Sequence, residues 1–191
     1  MKINGNGQSS IIEKSIIKTI LEDENINLKH RTLIAVCFFT AARIGEACQV
    51  KVKSARGSHL TFEKSTTKTK KTRQVVICPP LRAILDKYIA TLPPNQEFLF
   101  SSGLAGAQTI KNAFYSKVAA GQVITKIFKT YGVAGASTHS FRRSVLTHAH
   151  QAGATLADLM SLSGHSSLSA LQRYLESSDN AQAKVLDLVE L

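Results

Sequence analysis

A chain of 191 residues that is 43% hydrophobic and 19% charged holds enough apolar material for one packed domain, which excludes a disordered tail. Its net charge of +11 and pI near 9.8 favour a polyanionic partner, and no apolar run approaches the length of a membrane span. The three cysteines, Cys37, Cys48 and Cys78, have no metal-ligand spacing, and their odd number without a signal peptide points to reduced thiols in a cytoplasmic protein.

Residues 1–8 read as a flexible polar leader. Ser9 or Ser10 is placed to cap a helix whose Ile12, Ile16, Ile17, Ile20 and Leu21 recur at helical spacing. A second helix is predicted over Leu28 to Thr40, deeply buried because LIAVCFF is apolar throughout, and a third over Ala41 to Val50. The pattern then changes. Residues 50–78 are rich in β-branched side chains and lysine, with HLTFE and RQVVI reading as strands around the polar turn KSTTKTKKT, and predict a small three-stranded antiparallel sheet. Pro79-Pro80 opens a helix that stops before Pro93-Pro94. Further helices are expected at about 108–119, 122–131, 139–151, 155–162, 167–175 and 180–190, punctuated by glycines. The fold class is therefore α+β, mainly α, in a single domain covering residues 1–191.

Charge is unevenly spread. Between Lys51 and Arg73 eight basic residues face the single acid Glu63, a local net charge of +7. A concentrated patch suits a polyanion better than a uniform spread does.

Four stretches carry polar residues that helix packing does not require. In TAARIGEACQV, Arg43 and Glu46 stand three apart at a helix start. An exposed ion pair is the ordinary reading, yet an arginine directly after so apolar a helix needs an anion if it is buried. The turn TTKTKK offers Lys68, Lys70 and Lys71, which alone would be a solvated loop. THSFRRS puts His139 and Arg142 on one helix face at i and i+3, a pairing that chance also produces. In LSGHSSLSALQRYLE, His165 follows Gly164 at a helix junction and Tyr174 comes nine residues later. Alone, the two would be a loop histidine and a half-buried helical tyrosine.

Together and in this order, from about Leu28 to Glu176, these stretches resemble the tyrosine recombinase (phage integrase) family. Its pattern is Arg-x-x-Glu, a lysine on a β-hairpin, His-x-x-Arg, Gly-His and a tyrosine about nine residues on. The resemblance implies catalytic roles for Arg43, Lys68, His139, Arg142, His165 and Tyr174. Lys68 is preferred because it precedes Thr69, with Lys70 and Lys71 as close rivals. Glu46 would orient His139 or Arg43 from behind, and Lys64, Lys70, Lys71, Arg73 and Arg143 would contact DNA. The implied reaction is cleavage and rejoining of DNA through a 3′-phosphotyrosyl link, with no metal and no cofactor. Arg43 and Arg142 would clamp the non-bridging phosphate oxygens, and Arg43, His139, Arg142 and His165 are expected to converge on one basic pocket. A phenol holds its proton to about pH 10, so Tyr174 needs a base, for which His139 is the candidate, and Lys68 would protonate the leaving 5′ oxygen.

The implied partner is double-stranded DNA, bound by a monomer in solution that assembles as a homo-tetramer on paired sites, with residues 180–191 as a C-terminal helix docking between subunits. The implied setting is cytoplasmic and nucleoid-associated. The family's N-terminal core-binding domain is expected to be absent from residues 1–191. Two alternatives keep the fold: a catalytically inactive DNA-binding protein, and a type IB topoisomerase-like relaxing enzyme. A basic RNA-binding protein would explain the charge but not the ordered constellation.

Overall fold

In the computed structural model, residues 9–67, 70–102, 113–172 and 174–175 are described. The expected leader 1–8, Lys68 and the expected helix at 180–191 lie outside them. The architecture is mainly helical with a small antiparallel sheet.

The centre is helix α2 (Leu28–Phe39), whose residues Thr32 to Cys37 are all buried. From Leu33 to Phe39 its side chains are apolar on every face, so this part needs neighbours all round. It packs against α1 (Lys14–Glu22), α3 (Ile44–Ala47), α4 (Pro79–Ile89), α5 (Lys117–Thr130) and α6 (Thr138–Gln151). Asn27 caps its start by accepting from the Lys29 amide at 2.9 Å. Ser137 and Ser140 form a capping box at the start of α6. Helices α7 (Leu156–Ser163) and α8 (Leu168–Gln172) complete the order. Leu146, Leu159 and Leu171 form a second, smaller core beneath them, with Tyr174 and Leu175 packed on it.

The sheet has two described strands, β1 (His59–Phe62) and β2 (Arg73–Val76), paired antiparallel with His59 opposite Val76 and Phe62 opposite Arg73. The expected third strand is replaced by a 3-10 turn at Val52–Ala55, and Lys51 makes a lone bridge to Phe98. The amide of Val52 and the carbonyl of Val50 turn to Glu97 and Leu99, so this segment pairs away from β1.

Other boundaries shift for local reasons. Ser9 and Ser10 do not cap α1, which begins after Glu13. They bond to Ser137 and to the Ala134 carbonyl, while the Ile12 amide donates to Ser144 Oγ at 2.7 Å, which keeps this stretch extended against α6. The expected helix 41–50 contracts to α3, because Ala41 has a φ of 49° and breaks the path from α2. Within the expected helix 108–119 the described part is extended at Phe114, which bridges Ser101, and α5 starts only at Lys117 and runs through Gly121.

Leu85 is fully buried on α4, in the core shared with α2. Leu85→Ala should lower the free energy of unfolding by about 2–5 kcal/mol. Urea denaturation followed by circular dichroism measures it, and a change below about 1 kcal/mol would mean that this seam is not packed.

Candidate functional site: an arginine-lined pocket beside Tyr174

The break after α2 and the end of α7 face one another. Arg142 on α6 reaches between them, donating from Nη1 to the Ala41 carbonyl at 2.7 Å and from Nη2 to the Ser163 carbonyl at 2.7 Å. Arg73 on β2 runs alongside, donating from Nη1 to the carbonyls of Thr40 and Leu162. Two guanidinium groups thus span two consecutive pairs of carbonyls. These carbonyls belong to helix C-termini, where the last acceptors have no partner within their own helix, and a cation there is favoured by the helix dipole.

Arg43 caps α3 and pairs with Glu46, Nη1 to Oε1 at 2.8 Å, while Glu46 Oε2 accepts from the Arg43 amide at 3.1 Å and from Arg73 Nη2 at 3.3 Å. Glu46 is only 4% exposed, so it is a buried anion between two cations and not the surface ion pair its spacing allows. Its described bonds go to Arg43, as expected, and to Arg73. The three arginines differ in access: Arg142 is 1% exposed, Arg73 9% and Arg43 25%. Arg43, Glu46, Arg73 and His165 line one pocket, together with Thr67 and Lys71 from the hairpin.

His165 sits under Gly164, whose φ of 68° ends α7 in the left-handed region. Ser163 Oγ gives its proton to the Leu159 carbonyl, so its 2.8 Å contact with His165 Nδ1 is one in which the ring donates. Nε2 then carries the lone pair and accepts from Arg142 Nη2 at 3.1 Å. Burial pushes the His165 pKa down to about 4, helped by the like charges of Arg142, Arg43 and Arg73. Burial, with Arg43 next, lowers Arg142 to about 10, and it remains a cation at neutral pH. The Tyr174 ring lies 5.1 Å from that of His165 and 5.6 Å from the Arg142 guanidinium. Thr147 Oγ1 holds the Tyr174 carbonyl at 2.9 Å.

Of the four groups expected to converge, Arg43 and His165 line the pocket, Arg142 lies buried behind it against His165, and His139 is on the first turn of α6, exposed and outside the lining. Tyr174 packs beside His165 and Arg142. Lys64, Lys70 and Lys71 are exposed on the hairpin, and Lys71 reaches the pocket. Lys68 lies outside the described residues. Arg73 and Arg143, expected at the DNA surface, are turned inward: Arg73 to the carbonyls and Glu46, Arg143 to the Ser9 carbonyl with 4% exposure. Sequence reasoning missed Ser163, whose hydroxyl and carbonyl serve His165 and Arg142. Its place just before Gly164-His165 was the available signal.

The His165 shift makes stability depend on pH. The folded pKa lies below the ordinary value near 6.5, so the neutral ring's contribution is complete above about pH 6.5 and is lost as pH falls towards about 4. Between about pH 7.5 and 4.5 the intact protein should lose more stability than His165→Gln. Equal losses, read from urea midpoints, would remove His165 as the source.

The phage integrase family model matches residues 12–181. The chain is 29% identical over 157 residues to the tyrosine recombinase XerC of Rickettsia typhi, covering 80% of this chain and 48% of that protein. The chain spans about half the length of the curated relatives it matches first. Among solved structures, XerA recombinase superposes with a TM-score of 0.77 at 18% identity, covering 95% of this chain and 65% of that one. XerH bound to difH substrate, a pre-cleavage complex, does so with 0.69 at 18% identity, over 94% and 54%. These two likenesses are of fold. With the ordered motifs and the arginine-framed pocket in place, the match over residues 12–181 establishes that this chain belongs to the phage integrase family.

Proposed function

We propose that this chain is the catalytic domain of a site-specific DNA recombinase that cuts and rejoins strands through a 3′-phosphotyrosyl intermediate, with Tyr174 as nucleophile. The observation that carries the reading is the Tyr174 ring beside Arg142 and His165, with His165 in one pocket with Arg43. Among the described residues three guanidiniums share this region with the one carboxylate of Glu46, and the buried Arg142 Nε has no acceptor. Such a site is stabilised by a further anion, and a DNA phosphate supplies one.

In this scheme Arg43 and Arg142 hold the non-bridging oxygens and neutralise the charge that grows on them. The Tyr174 hydroxyl loses its proton, its oxygen bonds to phosphorus, and the bond to the 5′ oxygen breaks. His139, one turn before Arg142, is the base or positioning group, and Lys68 gives the leaving oxygen its proton. His165, neutral at physiological pH, contributes a polar contact rather than charge. Lys64, Lys70 and Lys71 contact the backbone of double-stranded DNA, a partner supported by the difH substrate in the XerH complex. A homo-tetramer on paired sites, linked by residues 180–191, and a cytoplasmic setting on the nucleoid complete the proposal. No cofactor enters the scheme.

The test is covalent trapping on a pool of end-labelled, nicked duplexes of randomised sequence. The intact protein should give a protease-sensitive shifted band on denaturing gels. Tyr174→Phe should give none while binding the same pool with equal affinity, since only a hydroxyl is removed and the stability change is about 1 kcal/mol. An adduct from Tyr174→Phe would assign the attack to another residue, and none from the intact protein would support the inactive DNA-binding alternative. Binding should weaken steeply between about 50 and 200 mM salt if lysine–phosphate contacts carry it, and salt-independent binding would contradict those contacts.

A further inference from the structure

We infer that Arg73 is a positioning residue for the cleavage reaction, an inference that rests on the recombinase reading above. It acts through Arg43 and His165 and ties the lysine hairpin to both. Four contacts, each on a different element, converge on this one side chain. Nη1 donates to Thr40 O at 2.9 Å and to Leu162 O, Nη2 meets Glu46 Oε2 at 3.3 Å, and the guanidinium carbon lies 4.3 Å from the centre of the Phe62 ring. Thr40 precedes Arg43 by three residues and Leu162 precedes His165 by three. Glu46 is the partner of Arg43 itself. Arg73 therefore fixes the backbone ahead of both groups and the carboxylate that orients one of them.

Its backbone position matters as much. Arg73 opens β2 opposite Phe62, at the base of the hairpin that carries Lys64, Lys70 and Lys71. Thr67 closes the tip by accepting from the Lys71 amide at 3.2 Å and donating to its carbonyl at 2.8 Å. With its side chain bound to helix ends and its backbone in the sheet, Arg73 sets where the hairpin stands over the pocket. Gly164 supports the same assignment. A Cβ there would lie 2.9 Å from Arg73 Cδ, so the residue before His165 is kept bare where the Arg73 chain passes. At 9% exposure, with these partners, Arg73 is not a free phosphate contact.

Lysine keeps the charge but cannot span two carbonyls and a carboxylate at once. Arg73→Lys should lower the single-turnover rate of adduct formation at saturating nicked DNA by about tenfold or more, because small displacements of catalytic groups are costly. The Kd for DNA and its salt dependence should stay as in the intact protein. Leu85→Ala is the control, destabilised but remote from the pocket, and should keep the intact rate at a temperature where all the proteins are folded. An unchanged rate in Arg73→Lys would overturn the inference. So would a loss confined to Kd with the salt slope reduced by about 1, the mark of a phosphate contact, or an equal rate loss in Leu85→Ala.

Should Arg73→Lys fail to fold by thermal melting, Gly164→Asn replaces it. Asparagine tolerates the left-handed backbone, and its Cβ displaces the Arg73 chain. The same rate loss with unchanged Kd is expected, and an intact rate would overturn the inference. An intact protein that forms no adduct at all would instead overturn the recombinase reading, so the two failures are separable.

Discussion

Arg73 and Arg142 lie side by side in the interior and connect the same two helix ends. Arg73 joins the carbonyls of Thr40 and Leu162, and Arg142 joins those of Ala41 and Ser163. A helix end that stops inside a protein leaves acceptors that no backbone amide satisfies, and here two ends meet that need at once. Planar guanidinium groups with five donors each suit it, because one side chain can serve two carbonyls held in different elements. Two residues beyond each joined end stand Arg43 and His165, so the geometry of the pocket follows from how the helices are closed. The positive φ of Ala41 belongs to this arrangement. It turns the chain out of α2 between the two carbonyls that the arginines take.

Gathering three arginines at one place has an electrostatic consequence. Glu46 is the buried carboxylate between two of them, and burial first, then the remaining excess of positive charge, holds His165 neutral. Among the described residues the three guanidiniums outnumber the Glu46 carboxylate, and on the recombinase reading a phosphodiester would bring the missing charge where a neutral ligand would not. The hairpin lysines extend the same field outward, where they remain in water.

The parts of this site that sequence patterns reached are those whose spacing is local. Arg43 and Glu46 stand three apart across one turn, where periodicity says which side chains share a face, whereas His165 and Tyr174 flank α8 and are paired only by the family's order of motifs. The inward turn of Arg73 was harder to see. Its charge and its place in a basic run argued for the surface, whereas the parity of RQVV puts it on the same face as Val75 and opposite the exposed Val76. The alternation was present, but nothing local says which face of a short strand is covered. The third strand was overcalled for a related reason: β-branched residues at 50–52 fit a pleated surface, and tertiary pairing with 97–99 took the segment elsewhere. His139 shares a helix face with Arg142 at i+3, yet one turn of helix carries it from the interior to solvent.

The division of the apolar interior into two cores also bears on how the molecule opens. Tyr174 rests on the small cluster of Leu146, Leu159 and Leu171, while α2 and its neighbours form the large one. Free energies of local opening scale with the apolar surface that must be exposed. Amides of α7 and α8 should therefore exchange with solvent through openings that leave the amides of α2 protected, which places Tyr174 on the weaker of two cooperative units. Arg142 and Arg73, each with one bond to the end of α7 and one to the end of α2, are the links across which those units communicate.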